Sequence, residues 1–226
     1  MKRSEINAIQ VDAKQFLAEH SFLLPPWAFN RPADWATFTK DMEEIKENML
    51  GWDITDFGQG DFKKRGLFLF TIRNGNPRRD RKTYAEKIMI VDVDQVTPMH
   101  FHRRKMEDII NRGGGKLIIE IHASNREEKL SDKPLEVSVD GVRRKLTAGS
   151  RVSLNPGESI CLEPFQYHSF WAEGKRCLVG EVSMANDDVG DNRFLEELGR
   201  FPKIEEDVEA LHLLVSDYEA YLKVDA

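Results

Sequence analysis

The chain has 226 residues, 40% hydrophobic and 32% charged, with a formal net charge of −6. That length buries a full core without staples, as one domain with embellishments. The acidic balance argues against nucleic-acid partners, which call for a basic face, and no apolar run approaches the length that spans a bilayer.

The first residues, Met1-Lys2-Arg3-Ser4-Glu5, contain no apolar signal core, so the expected location is the cytoplasm. Ser4 to Phe22 reads as a helix capped by Ser4, with Ile6, Ile9, Phe16 and Leu17 on one face and Pro25-Pro26 as its stop. Trp35, Phe38, Met42, Ile45 and Met49 form a stripe at spacings of 3 and 4, which predicts a second helix ended by Gly51. Residues 1–51 are therefore expected to form a helical arm on the main body.

From about residue 52 the apolar period changes to two. Gly66–Ile72, Glu86–Val93, Lys116–His122, Leu135–Val139, Val142–Leu146, Arg151–Leu154, Ser159–Leu162, Ser169–Trp171 and Leu178–Met184 all read as strands. Gly113-Gly114-Gly115 reads as a turn, and Asp140-Gly141 as the tip of a hairpin. Short strands separated by turns predict an antiparallel barrel or sandwich over 52–200. Ile204, Val208, Leu211, Val215 and Tyr218 are spaced 4, 3, 4 and 3, which predicts a C-terminal helix within 201–226. Cys161 and Cys177 lie in apolar strand-like runs and read as buried thiols. The basic clusters Lys63-Lys64-Arg65 and Arg78-Arg79-Asp80-Arg81-Lys82 stand among Gly, Asn and Pro, and read as solvated loops.

The informative segment runs from Thr97 to Glu107. On a strand, residues i and i+2 share a face, so His100 and His102 both point into a barrel. Glu107 follows five residues later, far enough to cross a bend and return. His168 arrives on another predicted strand. Three imidazoles and a carboxylate suit a divalent ion of borderline hardness: manganese, iron, nickel, cobalt or zinc. An octahedral ion so held keeps two positions open for a pair of vicinal substrate oxygens. His20, His122 and His212 are isolated and read as structural.

His100-x-His102-x4-Glu107, followed by Gly113 to Gly115, resembles the first metal motif of the cupins. Pro164-Phe165-Gln166-Tyr167-His168 stands where the second motif belongs, one residue shorter and without its glycine. The chain as a whole resembles the long form of the D-lyxose isomerase family. Lys87 sits thirteen residues before His100, and Lys105 two before Glu107. Gly180-Glu181-Val182-Ser183, Asn186-Asp187-Asp188 and Asp191-Asn192-Arg193-Phe194 resemble that family's segment after the last histidine, and Gly199-Arg200-Phe201-Pro202 resembles a turn of it.

The resemblance implies a mainly β cupin, a jelly-roll barrel with flanking N- and C-terminal helices. It also implies a homodimer that binds a divalent metal, manganese(II) first, and a sugar substrate. The reaction it implies is aldose–ketose isomerisation of D-lyxose and D-xylulose, with D-mannose and D-fructose as a second pair. Such a reaction needs a metal to polarise the carbonyl and a base to carry hydrogen between adjacent carbons as a proton. Glu181 is the first candidate base, because alternation aims it inward beside Val179, and Asp191 is the second. Lys87 and Lys105 are candidates to orient hydroxyls or supply protons. Phe101, Phe165, Phe170 and Trp171 are candidates for the pocket wall. Three alternatives share the ligand set or fold: an iron dioxygenase, a phosphosugar isomerase and a non-catalytic sugar-binding cupin.

Overall fold

The computed structural model describes residues 1–76, 79, 81–187 and 190–223. Arg78, Asp80 and Asp188, which figure in the sequence reading, lie outside the described residues. Twelve described strands build the body: β1 Gly51–Thr55, β2 Leu67–Arg73, β3 Tyr84–Val91, β4 Thr97–His102, β5 Glu107–Ser124, β6 Leu130–Ser131, β7 Leu135–Val139, β8 Val142–Leu146, β9 Ser150–Leu154, β10 Ser159–Leu162, β11 Gln166–Met184 and β12 Asn192–Phe194. All their pairings are antiparallel.

β5 and β11 are long enough to serve two layers. The first part of β5, around Glu107 to Asn111, pairs with β10 and with the second part of β11. Its later part, around Leu117 to Ile121, pairs with β9 and with the first part of β11. One layer thus runs β1-β2-β3-β11-β5-β10-β7-β8, and the other β12-β4-β11-β5-β9.

The crease lies at the glycines read as a turn. Gly113 to Gly115 are strand residues that let a bulged β11 come close: a Cβ on Gly114 would stand 2.0 Å from the Arg176 carbonyl, and one on Gly115 2.2 Å from the Lys175 carbonyl. Glycine is required there by backbone approach, and the strand continues through it. Ser169–Trp171 and Leu178–Met184, read as two strands, are likewise parts of the single β11. The Asp140-Gly141 hairpin between β7 and β8 lies where the sequence puts it.

Alternation along the strands separates two cores. On β3, Met89 and Val91 face inward to the cluster with Leu117, Ile119, Leu154 and Val179, whereas Ile88 and Ile90 face outward. The outward face is covered by α1 (Arg3–Glu19), whose Ile6, Ala13, Phe16 and Leu17 pack on Trp52, Ile54, Phe68 and Phe70. Each large apolar side chain so buried contributes roughly 1.5–3 kcal/mol.

Three helical expectations require correction. Ser4 does not cap α1; its hydroxyl bonds Asp207 at 2.6 Å, and Lys2 holds the cap position. The second helix is not continuous: Pro32–Thr37 and Lys40–Met42 are 3₁₀ turns, and only α2 (Glu43–Glu47) is α-helical. Phe38 and Thr39 are extended between the 3₁₀ turns; Trp35 and Phe38 are buried, while Met49 is exposed. The C-terminal helix shrinks to a 3₁₀ turn and α3 (Tyr218–Tyr221). Before it the tail runs irregularly, with bends, beside α1, whose side chains take some of its backbone groups. Asn7 bonds the Glu209 carbonyl and the Leu211 N–H, and Gln10 bonds the His212 carbonyl. With those partners, four consecutive residues, His212 to Val215, are buried, which no single helix face permits. Among the described residues no helix is long and apolar enough to cross a membrane.

Candidate active site

Strand pairing assembles the site inside the body. His100 and His102 alternate inward on β4, His168 lies opposite His100 on β11, and Glu107 opens β5. The three histidines each offer a ring nitrogen within 4.8 Å of the others, and all are buried. Glu107 Oε1 stands 3.3 Å from His102 Nε2 and 3.2 Å from His168 Nε2.

The second nitrogen of each of two rings is already assigned. His100 Nδ1 donates to the Pro98 carbonyl at 2.8 Å and His168 Nδ1 to the Gln166 carbonyl at 3.0 Å. A carbonyl only accepts, so both rings carry their proton on Nδ1 and turn a bare Nε2 inward, the tautomer a metal needs. His168 Nε2 is close to Glu107 but outside hydrogen-bonding geometry, and is left buried without a hydrogen-bond partner. A buried nitrogen lone pair beside a carboxylate is an arrangement that a cation completes. These residues fit a divalent transition metal.

Electrostatics agree with that fit. Burial, reinforced by the neighbouring His168 and His102, holds His100 well below the usual imidazole range. Burial and the Lys105 ammonium lower His102. Both rings are neutral at physiological pH, as ligation requires. Burial alone would raise Glu107, but Lys105 and His102 outweigh it and the carboxylate is held well below its ordinary value.

Lys87, Lys105 and Glu181 border the cluster, all three buried. Lys105 Nζ reaches Glu107 Oε2 at 2.7 Å and Glu181 Oε1 at 2.8 Å. Lys87, register partner of Glu181, brings its Nζ within 3.6 Å of the same oxygen. Burial disfavours the Lys105 ammonium, yet the two carboxylates more than compensate and its pKa is raised. Ser183 also donates to Glu181 Oε1 at 3.0 Å, or to the Met184 carbonyl at 2.9 Å. Every bond to the Glu181 carboxylate among the described residues thus falls on Oε1. Burial pushes Glu181 up, Lys105 and Lys87 pull it down, and the net shift is downward.

Asp191 is placed differently. Its two oxygens accept the N–H groups of Arg104 and Lys105, at 2.9 and 3.0 Å, so it clasps the turn that delivers Lys105. Asp187 Oδ1 accepts the Gly190 N–H at 3.0 Å. Of the aromatic candidates, Phe170 lines the cavity. Phe101 instead packs on Phe165 and Tyr167, and Trp171 lies beneath the Arg151 guanidinium. His20, His122 and His212 lie elsewhere; His212, for instance, stacks on Trp52 with ring centroids 5.6 Å apart. Burial pushes the thiols of Cys161, half buried, and Cys177 up to about 12 and about 11.

The cavity lining also includes Phe57, which sequence reasoning missed, and Asn192, Phe194 and Arg200, which it named only within segments that carry the resemblance. Asn192 and Phe194 arrive because β12 pairs with β4, opposite His102 and His100. A strand of three residues carries no periodic signal of its own. Arg200 is brought in by a salt bridge to Asp53, 147 residues away in sequence.

This arrangement, a set of residues fit to hold a metal beside a buried carboxylate braced by two cations, suits proton transfer next to a carbonyl. The comparisons agree. Residues 1–218 match the family model described as D-lyxose isomerase. A D-lyxose/D-mannose isomerase of Escherichia coli O157:H7 is 50% identical over 98% of this chain and all of its own. One of Serratia proteamaculans is 49% identical with the same coverage. Among solved structures, the L-ribose isomerase of Cellulomonas parahominis with L-psicose matches at a TM-score of 0.62 and 17% identity, covering 91% of this chain and 98% of that one. The Acinetobacter sp. DL28 L-ribose isomerase in complex with L-ribose matches at 0.59 and 16%, covering 90% and 98%. These two likenesses carry the fold, that of a mainly β cupin with flanking helices, and the first two carry kinship. The chain belongs to the D-lyxose isomerase family.

Proposed function

We propose that this protein interconverts D-lyxose with D-xylulose, and D-mannose with D-fructose, using manganese(II) held by His100, His102, Glu107 and His168. The observation that carries this reading is the convergence of those four side chains beside Glu181 and its two lysines. When bound, the metal supplies Lewis acidity toward the sugar's carbonyl and neighbouring hydroxyl oxygens.

The protein's own groups do the rest. Glu181 removes the proton from carbon 2 through Oε2 and returns it to carbon 1, while the proton of the carbon-2 hydroxyl passes to the carbon-1 oxygen. Lys105 and Ser183 fix Oε1, which leaves Oε2 the oxygen directed to substrate. The lysines keep the buried carboxylate ionised before the reaction, which lowers its basicity while guaranteeing the reactive form. Lys87 lies beside the base and donates to substrate hydroxyls. D-lyxose and D-mannose share configuration at carbons 2 and 3, so one site serves both. The names of the curated relatives support both substrates.

The enzyme so proposed is a cytoplasmic homodimer, on the strength of the family resemblance. Its test is a ketose assay on protein stripped by a chelator and reloaded with manganese. D-xylulose from D-lyxose, with D-xylose untouched, is the expected result; no ketose from any aldose by metal-loaded protein would overturn it.

A further inference from the structure

Phe57 and Glu128, far apart in sequence, both adopt a left-handed φ, of 54° and 57°. Neither residue type favours that conformation, so the surroundings impose it. Phe57 follows β1. Its N–H is taken by the Thr55 hydroxyl at 2.9 Å, and Asp56 accepts the N–H groups of Gly58 and Gly60 at 2.9 and 3.1 Å. The turn so wound buries the Phe57 ring and sets it 5.6 Å from the ring of Phe194, edge to face. Phe194 in turn stands 5.5 Å from the His100 imidazole. Both phenyl rings line the cavity. An aromatic wall thus reaches as far as a proposed metal ligand.

Phe194 is held from behind. β12 has three residues and, among the described residues, pairs with β4 alone. So short an edge strand supplies little order of its own. Residues directly opposite across a ladder share a face. Asn192 opposite His102 and Phe194 opposite His100 turn inward, and Arg193, opposite Phe101, turns outward. There Arg193 Nε donates to Glu128 Oε2 at 3.1 Å, and Nη1 donates to the Phe194 carbonyl at 2.6 Å. Arg103, just past β4, donates to the same Oε2 at 2.9 Å. Glu128 therefore ties β12 to the end of the strand that carries two of the histidines. Its own backbone is fixed by the Tyr167 hydroxyl, which donates to its carbonyl at 2.6 Å, and by its N–H on the Asn125 carbonyl at 3.1 Å. The side chains of Arg193 and Glu128 are 40% and 30% exposed, and pairs so exposed contribute little to folding. An anchor of small folding value on a strand that lines the site points to placement of the wall.

Resting on the isomerase reading, we propose that Phe194 packs on the carbon–hydrogen face of the open-chain sugar, with Glu128, outside the cavity, as its positioning residue through Arg193. The hydroxyls of a sugar are served by polar groups, whereas its C–H bonds call for an apolar surface. The negative face of an aromatic ring provides one that also attracts their positive hydrogen ends. Phe57 backs the ring and keeps it on the His100 side. Phe194 therefore meets the part of the chain nearest the metal ligands, the part that D-lyxose and D-mannose have in common. The wall sets affinity for both aldoses and takes no part in the proton transfer.

The test is a double-mutant cycle on manganese-loaded protein: wild type, Phe194→Ala, Glu128→Ala and the two together, each with D-lyxose and D-mannose. Phe194→Ala should raise KM roughly tenfold for both sugars, the scale of one aromatic contact, with kcat within about fivefold of wild type. Glu128→Ala should raise KM roughly three- to tenfold, while its melting temperature stays within a few degrees of wild type. In the double variant KM should match that of Phe194→Ala alone, because a wall without its ring has nothing left to place. KM increases that multiply, or a Glu128→Ala KM at the wild-type level, would overturn the positioning role. An unmoved KM in Phe194→Ala would overturn the packing role, and a loss confined to one sugar would overturn its place beside the metal ligands. Should Phe194→Ala not fold, Phe194→Leu takes its place in the cycle, keeping apolar bulk without the ring. It should raise KM several-fold for both sugars, and unchanged values would be equally fatal. Wild type that makes no ketose at all would remove the isomerase reading and this inference together, whereas an active wild type with unmoved KM in the variants removes only the inference.

Discussion

The ammonium of Lys105 donates to Glu181 Oε1 at 2.8 Å inside the protein, where both side chains are at most 6% exposed. The same ammonium holds Glu107 at 2.7 Å. One cation thus ties a proposed metal ligand to the proposed base. Removing one partner of a buried ion pair leaves an uncompensated charge, at about 3–5 kcal/mol. Lys105→Met should therefore lower the melting temperature markedly as well as abolish turnover. A variant with wild-type stability and no activity would mean that the lysine acts in chemistry alone.

Glu181→Gln keeps the shape of the base and removes its proton affinity. Turnover should fall by roughly 10²- to 10⁴-fold. Metal content, measured by elemental analysis, should stay at the wild-type level, because among the described residues Glu181 is bridged to the ligand Glu107 by Lys105 and bonds no ligand directly. A kcat within threefold of wild type would move the base to another residue.

Asp191→Asn separates the two carboxylates that sequence reasoning nominated. Its oxygens serve the backbone of Arg104 and Lys105, so the amide should cost stability on the order of 1–2 kcal/mol. It should leave kcat within about tenfold of wild type, well short of the loss expected for a general base. A collapse of turnover equal to that of Glu181→Gln, with folding intact, would contradict the clasp role.

His168→Ala, or a chelator applied to wild type, should yield protein without manganese and without ketose production. Adding manganese back should rescue only the wild type. Isomerisation by a metal-free sample would remove the ligand assignment.

The pH dependence has a defined sign. His100 and His102 titrate below their ordinary value in the folded protein. As pH falls through about 6.5 the unfolded chain binds protons that the folded chain refuses, so stability declines. Glu107 and Glu181 are also depressed, so their contribution holds above about 4.3 and is lost as pH drops through their folded values. The melting temperature of chelator-treated protein should be level near pH 7 to 8, fall from about 6.5, and fall again in the acid range. Metal retention should weaken over the first step. A melting temperature that rose on acidification to pH 5 would contradict the buried neutral imidazoles.

What the sequence disclosed follows from the range of each signal. Period-two alternation is local, so most strands and the inward aim of His100, His102 and Glu181 were legible. The ligand spacing carried the metal reading because two histidines at i and i+2 leave few arrangements. Helical spacing misled at Trp35 to Met49 and at Ile204 to Tyr218, where apolar residues 3 and 4 apart meet a core without a helix between them. In the tail, the deciding partners were Asn7 and Gln10, about 200 residues upstream. Gly113 to Gly115 misled because close approach and turning both call for glycine. Arg200 was legible only as part of the resembling turn Gly199-Arg200-Phe201-Pro202 and Asp53 in no pattern, because the salt bridge that joins them crosses the fold.

The crease in β5 and β11 has a kinetic meaning. Glu107 sits at one end of β5, and His168 and Glu181 lie on opposite arms of β11, so the two longest ribbons carry three of the groups that matter. No terminal fraying or loop opening pulls these groups apart without first breaking the central ladder between those ribbons. Amide protons of Ile109, Ile119 and Val179 should therefore exchange with solvent only through global unfolding, and a bound ion should leave a folded molecule through the mouth of the cavity and not by the walls coming loose.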